Sequence, residues 1–141
     1  MNKSLDLPLC IITGVGPEKG TGAEIARRFS VENYKVAMIA RNKNNLEKLS
    51  AKYKNSFPYI CNIGDLENFK CILNQIRSEH GDAEVVIHNA PSASRGSILE
   101  LDPNDLEKNF RVNTTALLYL TRDTIPGMLR KKKGAIIVTG N

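Results

Sequence analysis

The segment Thr13-Gly14-Val15-Gly16-Pro17-Glu18-Lys19-Gly20-Thr21-Gly22 lies between an apolar run over 7–12 and a helical pattern over 23–29. A strand that feeds a glycine-rich turn and then a helix N-terminus makes a binding site for a phosphate group. Glycines let the backbone approach the anion, and unpaired N–H groups together with the helix dipole attract it. Flavin, nicotinamide and S-adenosylmethionine proteins all use such turns, and the end of the next apolar run separates them. It reads Ile39-Ala40-Arg41-Asn42-Lys43, where NAD, FAD and S-adenosylmethionine sites place an acid to hold ribose hydroxyls. An arginine with a lysine two residues on pairs instead with a 2′-phosphate, which favours NADP over NAD. The bland alternative is that Arg41 is a solvated residue entering a helix.

The elements that must position these residues alternate regularly. Strands are expected over 7–13, 35–40, 57–61, 84–88 and 134–139, and helices over 21–32, around Leu46, Leu49 and Tyr53, and from Leu66 through Phe69, Leu73 and Ile76 to Gly81. Asp102-Pro103 opens a further helix with an acidic cap and a proline at the first helical position. Its apolar stripe is Leu106, Phe110, Leu117 and Leu120, and Pro126 is expected to kink or end it. Strands and helices alternating through short loops mean a parallel sheet with right-handed crossovers and helices on both faces. Ligands of such sheets bind beyond the C-terminal strand ends.

The chain of 141 residues is long enough to bury a core and carries no repeat or linker, so one domain over 1–141 is expected. Its net charge of +5 is spread along the sequence. The one basic cluster, Arg130-Lys131-Lys132-Lys133, follows a helical stretch and reads as a solvated helix end, not as a nucleic-acid surface. Cys10, Cys61 and Cys71 have no metal spacing and are read as buried small hydrophobes in a reducing cytoplasm. No signal peptide and no run of membrane-spanning length is found.

With these motifs in place, the chain resembles the N-terminal, NADP-binding part of the short-chain dehydrogenase/reductase family over nearly all of its length. The family opens with Thr-Gly-x-x-x-Gly-x-Gly. Here Thr13-Gly14 and Gly20-Thr21-Gly22 are separated by five residues, as if Glu18-Lys19 were inserted. Glu18 is unfavourable near a pyrophosphate, whereas Lys19 offsets it or contacts a phosphate. Asn62, in Cys61-Asn62-Ile63-Gly64-Asp65, stands where the family has an aspartate touching the adenine, and an amide oxygen can accept from the adenine amino group. His88-Asn89-Ala90-Pro91 matches the family's Asn-Asn-Ala-Gly at two positions, with Pro91 removing an N–H and glycine's freedom. His88 reads as satisfying a local hydrogen bond rather than as a catalyst or metal ligand.

Asn113 falls on the stripe of Leu106, Phe110, Leu117 and Leu120, where a buried amide needs a partner. It is a satisfied core asparagine or a mark of helix irregularity on its own chemistry. The resemblance implies the asparagine of an Asn-Ser-Tyr-Lys tetrad, which holds a water of the proton relay. The rest of that tetrad is missing. Tyr34, Tyr53, Tyr59 and Tyr119 are followed four residues later by Met38, Phe57, Ile63 and Asp123, so no Tyr-x-x-x-Lys occurs, and the family's serine falls at Asn141 or beyond.

The resemblance implies a doubly wound parallel sheet (a Rossmann fold) of five strands in order 3-2-1-4-5, ending after the fifth strand. It also implies an NADP(H)-dependent oxidoreductase moving a hydride between cofactor and a carbonyl or alcohol of a small substrate, here as its cofactor-binding part. Gly14, Gly16, Lys19, Gly20 and Thr21 would hold the pyrophosphate, Arg41 the 2′-phosphate, Asn62 and Ile63 the adenine, and Asn89 and Ala90 the cleft floor, with residues 92–101 over the substrate. No metal is expected. The alternative is a non-catalytic dinucleotide-binding or regulatory module, or a decayed fragment, and a methyltransferase is disfavoured. A fifth strand left as an open edge invites homo-oligomerisation.

Overall fold

The strand β1 (Leu9–Thr13) is buried at all five positions, as a strand covered on both faces must be. The computed structural model describes residues 6–140. β1 is followed by α1 (Thr21–Val31), β2 (Lys35–Ala40), α2 (Lys43–Lys52), β3 (Ser56–Ile60), α3 (Leu66–His80) and β4 (Ala83–His88). Then come α4 (Pro103–Phe110), a π-helical turn (Arg111–Thr115), α5 (Ala116–Lys131) and β5 (Ala135–Val138). The strands form one parallel sheet in the order β3-β2-β1-β4-β5, the doubly wound order expected.

Alternation along each strand divides the core in two, because successive side chains leave opposite faces of a sheet. Leu9, Ile11, Ala37, Ile39 and Val86 pack on one face with Phe69, Leu73 and Ile76 of α3 and Leu120 of α5. Cys10, Ile12, Val36, Met38 and Ile87 pack on the other with Ala23 and Ala26 of α1 and Leu46 and Leu49 of α2. Caps fix most helix starts. The Asn42 side chain accepts from Asn45 N, Asp65 from Asn68 N and Asp102 from Asn104 N. Helix α1 is different: Gly20 precedes it and no side chain caps it. Among the described residues, no helix is long and apolar enough to cross a membrane.

The single long helix expected after Asp102 is corrected in two respects. It is interrupted by the π-helical turn, in which Ala116 N donates to Arg111 O five residues back. The extra residue in that turn rotates everything after it, so the stripe does not stay on one face. Leu120 is fully buried, but Leu106 and Phe110 are 72% and 61% exposed, and Asn113 is exposed as well. Of the two outcomes expected of Pro126, a kink or a helix end, the end is ruled out, since Pro126 lies inside α5. The last turns persist because they are held from outside. Gly127 lies so close to Asp82 that an added Cβ would come within 2.6 Å of its carboxyl carbon. Arg130 and Lys133 pair with Asp82 and Glu84 at 2.9 and 3.1 Å, and Lys131 Nζ donates to Asp82 O at 3.3 Å, so three of the four basic-cluster residues are spent within the fold. Cys10 and Cys61 are buried, and burial pushes the Cys61 thiol up to about 11. Cys71 is exposed, contrary to expectation, because its place two residues past Phe69 turns it away from the buried face of α3.

At the C-terminal ends of β1 and β4 a chain of polar contacts joins the sheet to the π-helical turn. Val112 O can only accept, so His88 Nε2 carries the proton of that 3.1 Å bond. His88 Nδ1 therefore accepts from Thr13 Oγ1 at 3.0 Å, and Thr13 Oγ1 in turn accepts from Asn89 N at 3.2 Å. His88 is thus the satisfied local histidine that its position implied. Gly14 (φ +76°) follows directly, and a Cβ there would stand 2.6 Å from Ala90 Cα.

These contacts give two predictions. Gly14→Ala adds backbone strain to a backbone clash and destabilises by on the order of 2–5 kcal/mol. Gly16→Ala, whose Cβ meets nothing within 4 Å, changes stability by less than about 0.5 kcal/mol. Urea unfolding of both variants checks the contrast. Burial also holds the His88 and His80 imidazoles below their usual value of 6.5. The folded chain therefore binds these protons less readily than the unfolded chain. Stability is full above about pH 6.5 and falls as pH drops through the folded-state values. Urea midpoints measured from about pH 8 to pH 5 should show this decline, and His88→Gln should remove its own share and leave that of His80.

Candidate functional site

The candidate site lies where the sheet's winding reverses, at the C-terminal ends of β1, β2, β3 and β4. After β1 the backbone turns sharply at Gly14, whose N donates to Ile39 O at 2.9 Å. Gly22, in the first turn of α1, lies against the same loop, and a Cβ there would come within 2.9 Å of Asn89 Nδ2. Gly16 instead faces open space. The two additional residues of the loop are absorbed in a turn over 17–20, closed by Gly20 N donating to Pro17 O at 2.8 Å. Glu18 leaves the cradle and pairs with Lys52 of α2, which holds its carboxyl below the usual carboxylate range. Lys19 is exposed and is not a wall of either cleft described below. The loop is not folded shut.

Arg41 follows β2 and is exposed at the cleft. Among the described residues no carboxylate pairs with it. Lys43, expected to act beside it, reaches Glu47 one turn along α2 at 3.6 Å. Past β3, Asn62 is exposed, and its Oδ1 accepts from Gly64 N at 3.0 Å. That turn occupies one lone pair of the amide oxygen and leaves the other available. Ile63 also borders the cleft, although it is buried and packs in the core.

Past β4, Asn89 ties three segments together. Its Nδ2 donates to Gly14 O at 3.0 Å, and its Oδ1 accepts from Thr139 Oγ1 at 2.8 Å. Asn113, at the π-helical turn, has the partner its chemistry demands, though at the surface and not in the core. Its Oδ1 accepts from Ser92 N and its Nδ2 donates to Ser92 O, both at 2.8 Å. Asn141 lies outside the described residues.

These residues border two clefts that share Gly14, Gly16, Ala90 and Pro91 as walls. One, of about 320 Å³, runs past Arg41, Asn62 and Ile63. The other, of about 620 Å³, runs past Gly20, Thr21, Asn89 and Asn113 to Thr139. Of the sequence-derived site residues, the structure gathers all but Lys19. The uncapped start of α1 and the open space at Gly16 suit an anion held by main-chain N–H groups. The exposed Arg41 suits a second anion at the far end. Sequence reasoning missed Asn109, whose side chain holds Ser92 and Ser94. The available signal was an asparagine four residues before Asn113, facing a serine-rich loop. It also missed Thr139, which only the pairing of β5 with β4 brings to Asn89. Among the described residues no three His, Cys, Asp or Glu side chains converge as a metal site.

Comparison with known proteins bears on the fold and the family of the chain. The chain is 29% identical over 130 residues to "Dehydrogenase/reductase SDR family member 11" of Bos taurus, covering 88% of this chain and 50% of that protein. Its fold superposes on a short-chain dehydrogenase from Streptomyces avermitilis with a TM-score of 0.86 at 22% identity, covering 98% of this chain and 50% of the other. It superposes on an alcohol dehydrogenase from the archaeon Thermococcus sibiricus, complexed with 5-hydroxy-NADP, with a TM-score of 0.84 at 22% identity, covering 94% and 57%. The chain thus spans about half the length of the curated relatives it matches. The model of the short chain dehydrogenase family matches residues 9–140, and the chain belongs to that family.

Proposed function

We propose that this chain is the NADP(H)-binding unit of a short-chain oxidoreductase acting on a carbonyl or alcohol of a small molecule. The observation that carries the cofactor choice is Arg41, a guanidinium unpaired among the described residues, at the end of β2 where a ribose-binding acid would favour NAD. The neighbour complexed with 5-hydroxy-NADP supports the same choice. When bound, the nicotinamide would supply or accept a hydride. This chain's residues bind and orient. Main-chain groups at Gly16, Gly20 and Thr21 would receive the diphosphate, Arg41 the 2′-phosphate, and Asn62 and Ile63 the adenine. Ala90, on a backbone fixed by Asn89, would form the cleft floor. Asn113, a wall of the larger cleft, would hold the Ser92 backbone that borders the smaller one. With no Tyr-x-x-x-Lys within its 141 residues, the acid–base step is not assigned to this chain. Its free thiols agree with a reducing, cytoplasmic setting.

Titration with NADPH and NADH tests the assignment. The wild-type chain should prefer NADPH. Arg41→Ala should weaken NADPH by about 1.5–3 kcal/mol, roughly ten- to hundredfold, and leave NADH nearly unchanged. Equal affinity for both, or none for either, would overturn it. All four residues of β5 are exposed and pair on one side only, with β4, among the described residues. We expect the chain of 15.6 kDa to sediment as more than a monomer when alone.

A further inference from the structure

The segment after β4 leaves the sheet at Pro91 and runs as irregular chain to Gly96, yet it forms a wall of both clefts. Pro91 borders both, and Ser92 borders the one that holds Arg41 and Asn62. Within 91–96 only Ser92 and Ser94 are partly shielded, and they are the residues gripped from the helix. Asn113 takes the Ser92 backbone from both sides. Asn109, four residues earlier at the end of α4, accepts from Ser92 Oγ at 2.7 Å and donates to Ser94 Oγ at 3.0 Å. Two amides on one helix face thus clamp a chain that has no ladder of its own, and Pro91 contributes no N–H to the task.

We propose that Asn109 is a positioning residue for the nucleotide cleft, holding the wall at Ser92, directly and through Ser94 behind it, in the conformation that receives the adenosine half of the cofactor. The proposal rests on the dinucleotide-binding function above. Its physical content is preorganisation: a wall already fixed before the ligand arrives does not have to be ordered on binding. Asn109 itself carries no charge toward the ligand. Its loss should weaken every adenine nucleotide alike, whereas the loss of Arg41 should act on the 2′-phosphate alone.

The test is calorimetric titration of the whole 141-residue chain with adenosine 2′,5′-bisphosphate and with adenosine 5′-phosphate. Asn109→Ala should weaken both by about five- to fiftyfold, with their ratio unchanged. Alanine is the better helix former, so α4 keeps its fold and the melting temperature should hold. Ser94→Ala should weaken binding less, and the double variant should bind no worse than Asn109→Ala alone, because both substitutions break one shared contact. Hydrogen exchange of the wild-type chain and Asn109→Ala, read at residues 92–96, should show faster exchange in the variant. Unchanged nucleotide affinity in Asn109→Ala, a shifted ratio, or additive losses would each overturn the clamp. If the wild-type chain bound neither nucleotide, the dinucleotide assignment and the positioning role would both fall, and the exchange rates would still report whether Asn109 orders the loop.

Discussion

Main chain packed against main chain at the end of β1 is the constraint on which the site depends. Gly14, Gly22 and the Asn89–Ala90 segment lie so close that no side chain fits at either glycine. Asn89 holds that contact with a bond to Gly14 O and extends it to Thr139. Three segments far apart in sequence therefore meet with their backbones nearly touching, and α1 begins where β4 ends. The two clefts exist because this junction excludes side chains while Gly16, two residues on, opens to solvent. Hydrogen bonds through Thr13 and His88 carry the same rigidity to the π-helical turn.

Charge is distributed so that Glu18 and Glu24, the carboxylates nearest the glycine loop in sequence, are already engaged. Glu18 is turned outward onto Lys52, Glu24 in the first turn of α1 is engaged by Arg27, and Lys43 by Glu47. Asp82 and Glu84 absorb Arg130 and Lys133 at the opposite end of the sheet. Exposed pairs of this kind contribute little to stability. Their effect here is to neutralise carboxylates near the glycine loop and leave Arg41 as a guanidinium that no described carboxylate engages at the cleft. The net charge of +5 by itself would not have located that residue.

Much of this was legible in the sequence because it rests on local rules. The alternation of strand and helix patterns placed all five strands to within two residues at each end, and the glycine loop lies at the cleft where the sequence put it. The third helix showed its buried face in Phe69, Leu73 and Ile76. What escaped depends on contacts distant in sequence. A π-helical turn has no composition of its own, and Arg111–Thr115 adopts one where Val112 O meets His88 from another element. That turn separated Leu106 and Phe110 from Leu120 and brought Asn113 to the surface beside Ser92. The continuation of α5 past Pro126 was hidden for the same reason, since Asp82 and Glu84 hold the helix end beyond it.

The turn over 17–20 has a consequence for how such proteins are recognised. Its closing bond brings Gly20 back to Pro17, so the two residues between them lengthen the path and stand outside both clefts. Residue counting along a signature therefore misjudges chains like this one. The string between Pro17 and Gly20 stands as a small external eyelet, moored to the neighbouring helix through Glu18 and Lys52, while the cleft beneath it stays open.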